Sequence, residues 1–136
     1  MAFSDSQSGA VVIPVSMDGV SSVTLSGTVT KGDPIGFSSG WKRAFGAATV
    51  IQMRCVALED GVAGQRVAVC FGECYMKGAR FSGGTANNAL YVSEEVAGEY
   101  EDVIPDTATD ATTRVGTMLS GVEAILTPNY NVDSVV

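Results

Sequence analysis

Asp60-Gly61-Val62-Ala63-Gly64-Gln65-Arg66-Val67-Ala68-Val69-Cys70 is the stretch whose reading decides the fold. A glycine-rich loop opens it and an alternating run follows. Val67 and Val69 fall on one face, with Arg66, Ala68 and Cys70 on the other. A period of two belongs to a strand with one buried face. Outward from this segment, β-formers and turn residues dominate and good helix formers rarely occur in runs.

Upstream, Val11 to Val15 reads as a strand, with Pro14 suited to an edge or a bulge. Asp18-Gly19 marks a turn, and Val23 to Thr30 a second strand weakened or bulged at Gly27. Lys31-Gly32-Asp33-Pro34 is a tight turn. Pro34 to Phe37 and Trp41 to Phe45 form a hairpin about Ser38-Ser39-Gly40. Ala47 to Leu58 fits either a strand or a short helix. Phe71 to Lys77 reads as a continuation of the 66–70 strand after a kink at Gly72.

Downstream, Ala79 to Asn88 is a loop broken by Gly83-Gly84 and Asn87-Asn88, and Leu90-Tyr91-Val92 is a strand. Glu94 to Asp102 has helical spacing, with Ser93 as a possible cap. Gly98 inside the window favours a hairpin turn, which is the preferred reading. Pro105 to Ala111 is a polar loop. Arg114 to Leu119 and Val122 to Leu126 are closing strands about Ser120-Gly121, followed by a short irregular tail from Thr127 to Val136.

Two pairs of segments match one another. Pro34 to Ser38 resembles Ala89 to Ser93, and Arg54 to Val62 resembles Arg114 to Val122. Two similar halves suit a fold without open sheet edges. The expected fold is all-β, a small closed or nearly closed β-barrel or β-sandwich of short strands. Residues 1–10 are expected as a flexible arm before a single β domain over 11–136. The arm should serve docking rather than folding.

With 136 residues the chain suffices for one domain with a real core. The net charge of −7 disfavours nucleic acid and anionic membranes as partners. No apolar run is long enough to span a bilayer, and the polar N-terminus does not read as a secretory signal. Without a histidine, histidine triads and two-histidine metal sites are impossible. No catalytic residue, cofactor or metal is expected. The cysteines, Cys55, Cys70 and Cys74, are expected buried and reduced. On one strand Cys70 and Cys74 would lie roughly 13 Å apart, beyond the about 7 Å a disulfide allows.

Charge is unevenly distributed. Lys31, Lys42, Arg43, Arg54, Arg66, Lys77 and Arg80 precede an acidic stretch of Glu94, Glu95, Glu99, Glu101, Asp102, Asp106 and Asp110. Ordinary solvation accounts for both, as does a signed contact between copies, for which Lys42, Arg43, Glu94, Glu95 and Glu99 are the candidates. The acids lack the alternating pattern of a calcium loop.

Val29 to Gly36, with its Gly-Asp turn between strands, and Val56 to Val69 together resemble the capsid decoration, or cement, proteins of tailed bacteriophages. Leu90-Tyr91-Val92, Arg114-Val115-Gly116 and Val122 to Leu126 continue the likeness, which spans roughly Val11 to Leu126. Two positions depart from it: Arg54-Cys55 replaces the family's Ile-Gly, and the 47–54 segment is longer. The resemblance implies a non-enzymatic protein that binds the major capsid protein on the outer surface of the shell, as a homotrimer at three-fold positions. Docking would use an arm that adds a strand to a partner sheet, which nominates Ala2, Phe3, Ser4, Asp5, Val11, Val12 and Ile13. Alternatives are another virion module of tail or fibre, or a carrier-like hammerhead barrel with Lys77 as its modified lysine.

Overall fold

The computed structural model describes residues 3, 5, 12–47 and 49–136. It is all-β, with short strands β1 (Val12–Met17), β2 (Val20–Thr24), β3 (Pro34–Phe37), β4 (Trp41–Arg43), β5 (Cys55–Ala57) and β6 (Arg66–Cys70). These are followed by β7 (Cys74–Gly78), β8 (Ala89–Val92), β9 (Tyr100–Glu101), β10 (Gly116–Met118) and β11 (Glu123–Leu126). One 3-10 turn, Ala79–Phe81, interrupts them.

Two antiparallel sheets result, ordered β1-β7-β11-β10-β8-β9 and β2-β6-β5-β3-β4. They do not close into a barrel, so of the two expected architectures the sandwich is the one adopted. β2 to β6 and β7 to β11 have the same strand order, with β3 equivalent to β8 and β5 to β10. These are the pairs that the sequence matches align. β1 is the additional strand, laid against β7 at the edge of the larger sheet.

Pro14 shows why β1 belongs there. It has no N–H to give to a ladder, and the register of β1 slips between Pro14 and Ser16. The Asp18-Gly19 turn, with Gly19 at φ 69°, then carries the chain from one sheet to the other.

Each sheet has its own core. Val23, Leu25, Val29, Ile35, Cys55, Ala57, Val67 and Val69 pack on the smaller one. Met76, Phe81, Leu90, Val92, Tyr100, Val115, Met118, Ala124 and Leu126 pack on the larger. β5 is buried on both faces, sending Cys55 and Ala57 to one cluster and Val56 to the other.

The alternation of β6 holds through Val69, but Cys70 is also buried and joins the second cluster. The reason is a correction to the sequence reading. The chain does not continue from 66–70 into one strand. It bends at 71–73, held by Phe71 N–H to Gly19 O (3.0 Å) and Gly72 N–H to Asp18 O (3.0 Å), and resumes as β7 in the other sheet.

Cys70 and Cys74 are therefore neighbours across the bend, close enough for each thiol to act on the other. The Cys70 thiol donates to Asp18 O at 2.9 Å. All three cysteines are buried and unbridged. Burial pushes the Cys55 thiol up to about 12, with Cys70 adding to it. Burial and the Cys70 neighbour raise Cys74 further. Since thiolate is the reactive form, we expect a disulfide reagent such as dithionitrobenzoate to label none of the three in the native protein within minutes. All three should react at once in denaturant. Rapid native labelling of Cys70 or Cys74 would show that the bend opens.

The expected hairpin over 94–102 is present as β8 paired with β9. Ser93 ends β8 rather than capping a helix. Its hydroxyl accepts the Glu95 and Val96 N–H groups at 3.0 and 3.1 Å, and Gly98 takes φ 84°. The 47–58 segment resolves as a bridge between Phe45 and Ile51 followed by β5. The tail is irregular, as expected, yet tied down. Asn129 donates to Arg54 O and Phe71 O at 2.6 and 2.7 Å, Arg54 pairs with Asp133, and Val135 bridges Ala111.

Candidate functional site

Arg80 is fully buried, with 0% of its surface exposed. An isolated guanidinium cannot be buried cheaply without polar partners. Its four Nη N–H groups are hydrogen-bonded, and Nε, 2.9 Å from Asp5 Oδ1, is held as an ion pair without hydrogen-bond alignment. Nη1 donates to Asp33 Oδ1 at 2.7 Å and to Lys31 O at 2.9 Å. Nη2 donates to Asp5 Oδ2 at 3.0 Å and to Gly98 O at 2.8 Å. The guanidinium carbon stands 5.6 Å above the Tyr100 ring, within cation–π range.

The carboxylates have further partners, although Asp5 Oδ1 itself accepts no hydrogen bond. Asp33, at the tight turn before β3, also accepts from Arg43 Nε (2.7 Å) and the Thr30 N–H (2.8 Å). Asp5 also accepts the Tyr100 N–H at 3.0 Å, while the Tyr100 hydroxyl donates to Gly32 O at 2.8 Å. Burial pushes the Asp5 carboxyl above its ordinary range, with Arg80 working in the opposite direction. Burial opposes the charge of Arg80, but Asp5, Tyr100 and Asp33 outweigh it and hold the group firmly protonated.

This cluster joins the N-terminal segment to both sheets. Asp5 is buried and Phe3 packs against the core of the larger sheet. These two residues, nominated for a free docking arm, are thus seated on the body of the domain. A cleft of about 250 Å³ lies beside them, lined by Phe3, Asp5, Ser93, Glu95, Glu99 and Tyr100 among others. Of the other arm candidates, Ala2, Ser4 and Val11 lie outside the described residues. Val12 and Ile13 lie in β1, opposite Gly78 and Lys77.

The candidates for contact between copies are spread over two elements. Lys42 and Arg43 are on β4, and Glu94, Glu95 and Glu99 are in the β8–β9 connection. Arg43 is engaged within its own chain by Asp33. Glu99 lies near the same charges, and burial raises its carboxyl. Arg54 is likewise taken by Asp133, so part of the basic half of the sequence is spent internally.

Glu94 belongs to a second acidic group. Its carboxyl lies against that of Asp110, and its N–H donates to Glu101. Its pKa rises from 4.5 to about 7, first through the Asp110 contact and then through desolvation and the charges of Glu101, Asp110 and Asp106. A carboxyl raised on folding contributes stability that is complete below about 4.5 and is lost as pH climbs through about 7. We therefore expect amide exchange in the 93–110 loop, corrected for intrinsic rates, to be faster at pH 8.5 than at pH 6. Glu94→Gln should abolish the difference. A loop equally protected at both pH values would show that the shared proton is absent.

Among the described residues no group of three Cys, Asp or Glu side chains is placed to hold a metal ion. No helix there is long and apolar enough to cross a membrane. Lys77, the lysine of the carrier alternative, sits inside β7 opposite Ile13 and Glu123 rather than at a hairpin tip. No protein-family model matches the chain, and no curated protein matches it either.

The Asp5–Arg80–Asp33 cluster was not legible in the sequence. Its members are separated by tens of residues, and only the two-sheet packing brings them together. Arg80 stood in a segment read as loop, Asp33 in a turn, and Asp5 in the arm.

Proposed function

We propose that the chain is a non-enzymatic bacteriophage capsid decoration protein that docks on the outside of the major capsid protein shell, as a trimer at three-fold positions. The supporting observation is β1. It pairs only with β7, and no other described strand covers its outer backbone edge. Val15, Met17 and Val20 stand 48%, 42% and 55% exposed along that edge and the start of β2. An open edge flanked by apolar side chains suits strand addition to a partner sheet. The resemblance to cement proteins supplies the partner, and the absence of histidine narrows the chemistry the chain could perform.

The test is co-sedimentation with mature, expanded phage heads, followed by imaging. Saturable binding with density at three-fold positions is the expected result. The double variant Val15→Lys/Met17→Lys should bind at least about tenfold more weakly, about 1.4 kcal/mol, with its thermal midpoint little changed. Heads that gain no bound protein, or single copies at hexamer centres, would overturn the reading.

A further inference from the structure

We propose that residues 132–136 form a strap that lies over the Thr109–Thr113 edge and opens as one unit about Asn131 while both sheets stay folded, so that the chain itself governs access to that edge. The inference does not depend on the capsid reading.

The edge and the strap meet as two short antiparallel strands, with Ala111 bridging Val135. The Thr112 N–H donates to Ser134 O at 2.9 Å, the Val136 N–H to Asp110 O at 2.9 Å and the Thr109 N–H to Val136 O at 3.3 Å. The Thr113 hydroxyl accepts the Ser134 N–H at 2.6 Å, and the Thr112 and Ser134 hydroxyls share a bond of 2.9 Å. The Ala111 N–H points the other way. It donates to Gly46 O at 2.7 Å and so belongs to the body of the domain.

The strap is seated shallowly. Val132, Val135 and Val136 are 90%, 53% and 51% exposed. Little apolar surface leaves water when the strap closes, so the main driving force of folding contributes little to its hold. Its remaining attachments are the Arg54–Asp133 ion pair and a 3.5 Å bond from the Gln52 side chain to Ser134 O, both at the surface. Segments with few buried contacts and solvent-exposed hydrogen bonds open at the least cost. The chain just before the strap is held differently. The Thr127 N–H donates to Val115 O at 2.7 Å. The Asn129 side chain donates to Arg54 O and Phe71 O, and that of Asn131 to Arg114 O at 2.8 Å. The firm attachments end at Asn131, which sets the hinge. Opening leaves the Thr109 and Thr112 N–H groups and the Asp110 carbonyl facing solvent. These are the groups an added strand uses, so the closed strap is an autoinhibitory contact.

Amide hydrogen exchange of the full chain, followed by NMR at a single pH and corrected for intrinsic rates, tests the device. Thr109, Thr112, Ser134 and Val136 should exchange together, at least about tenfold faster than Ala111, whose partner lies on the other side. Asp133→Lys sets a second cation against Arg54 and should accelerate the same four amides at least about threefold. Ala111 and Thr127 should keep their wild-type rates. Equal protection of Thr112 and Ala111 in the wild-type chain would overturn independent opening. So would a charge reversal that accelerates Ala111 as much as Thr112, or that accelerates neither.

Discussion

Arg80→Met is expected to lower the stability of the domain by about 3–5 kcal/mol, the usual cost of removing one partner from a buried ion pair. For a chain of this size that is roughly 10–20 °C in the thermal midpoint. The methionine fills much of the volume but leaves Asp5 and Asp33 facing each other inside the protein. Asp33 keeps Arg43 and the Thr30 N–H, whereas Asp5 keeps only the Tyr100 N–H among the contacts described. Asp5→Asn should cost less, about 1–3 kcal/mol, since Arg80 retains Asp33, Lys31 O and Gly98 O. Because the two residues touch, their effects should not add. The double variant should be more stable than the sum of the singles predicts. Denaturant titrations of the four proteins settle it. A shift below about 1 kcal/mol for Arg80→Met would show that the cluster is not the brace its geometry indicates. Deleting residues 1–8 should also destabilise, which a purely flexible arm would not do.

That prediction marks the boundary of what the sequence discloses. Elements defined by local signals were legible. The β3–β4 hairpin needs only Ser38-Ser39-Gly40 between apolar runs, and β6 needs only its alternation. The edge position of Pro14 followed from its missing donor, and Gly98 decided between hairpin and helix in the 94–102 window. What failed were readings that depend on how two remote segments meet. Nothing local indicates that the chain changes sheets at 71–73. The bend is fixed by Asp18 and Gly19, more than fifty residues upstream, and it turns two supposedly distant cysteines into neighbours. The matching halves were visible as short likenesses because equivalent strands occupy equivalent places in the two sheets. The Arg80 cluster lies between those sheets and has no counterpart in any local pattern.

Gly46→Ala should be the most damaging single-methyl addition at the junction of the halves. Gly46 is buried, with its N–H bonded to Ser93 O at 2.8 Å and its carbonyl accepting the Ala111 N–H at 2.7 Å. Both groups hold the segment after β4 against the end of β8 and the strand-like stretch near Ala111. A Cβ at this position would stand 2.6 Å from Val92 O and 3.0 Å from Ser93 O. These are backbone atoms of a paired strand and cannot rotate aside as a side-chain tip would. The junction must open or β8 must shift, at a cost of about 3 kcal/mol or more, the upper part of the range for overpacking. Gly27→Ala is the matched comparison. Its added methyl would meet only Lys42 Cβ at 3.7 Å, an ordinary contact. Loss of unfolded-chain freedom should leave that variant neutral or stabilised by about 0.4–1 kcal/mol. The pair therefore separates steric closeness from glycine's intrinsic flexibility in one experiment. Comparable midpoints for the two variants would mean that the halves are not locked together through Gly46.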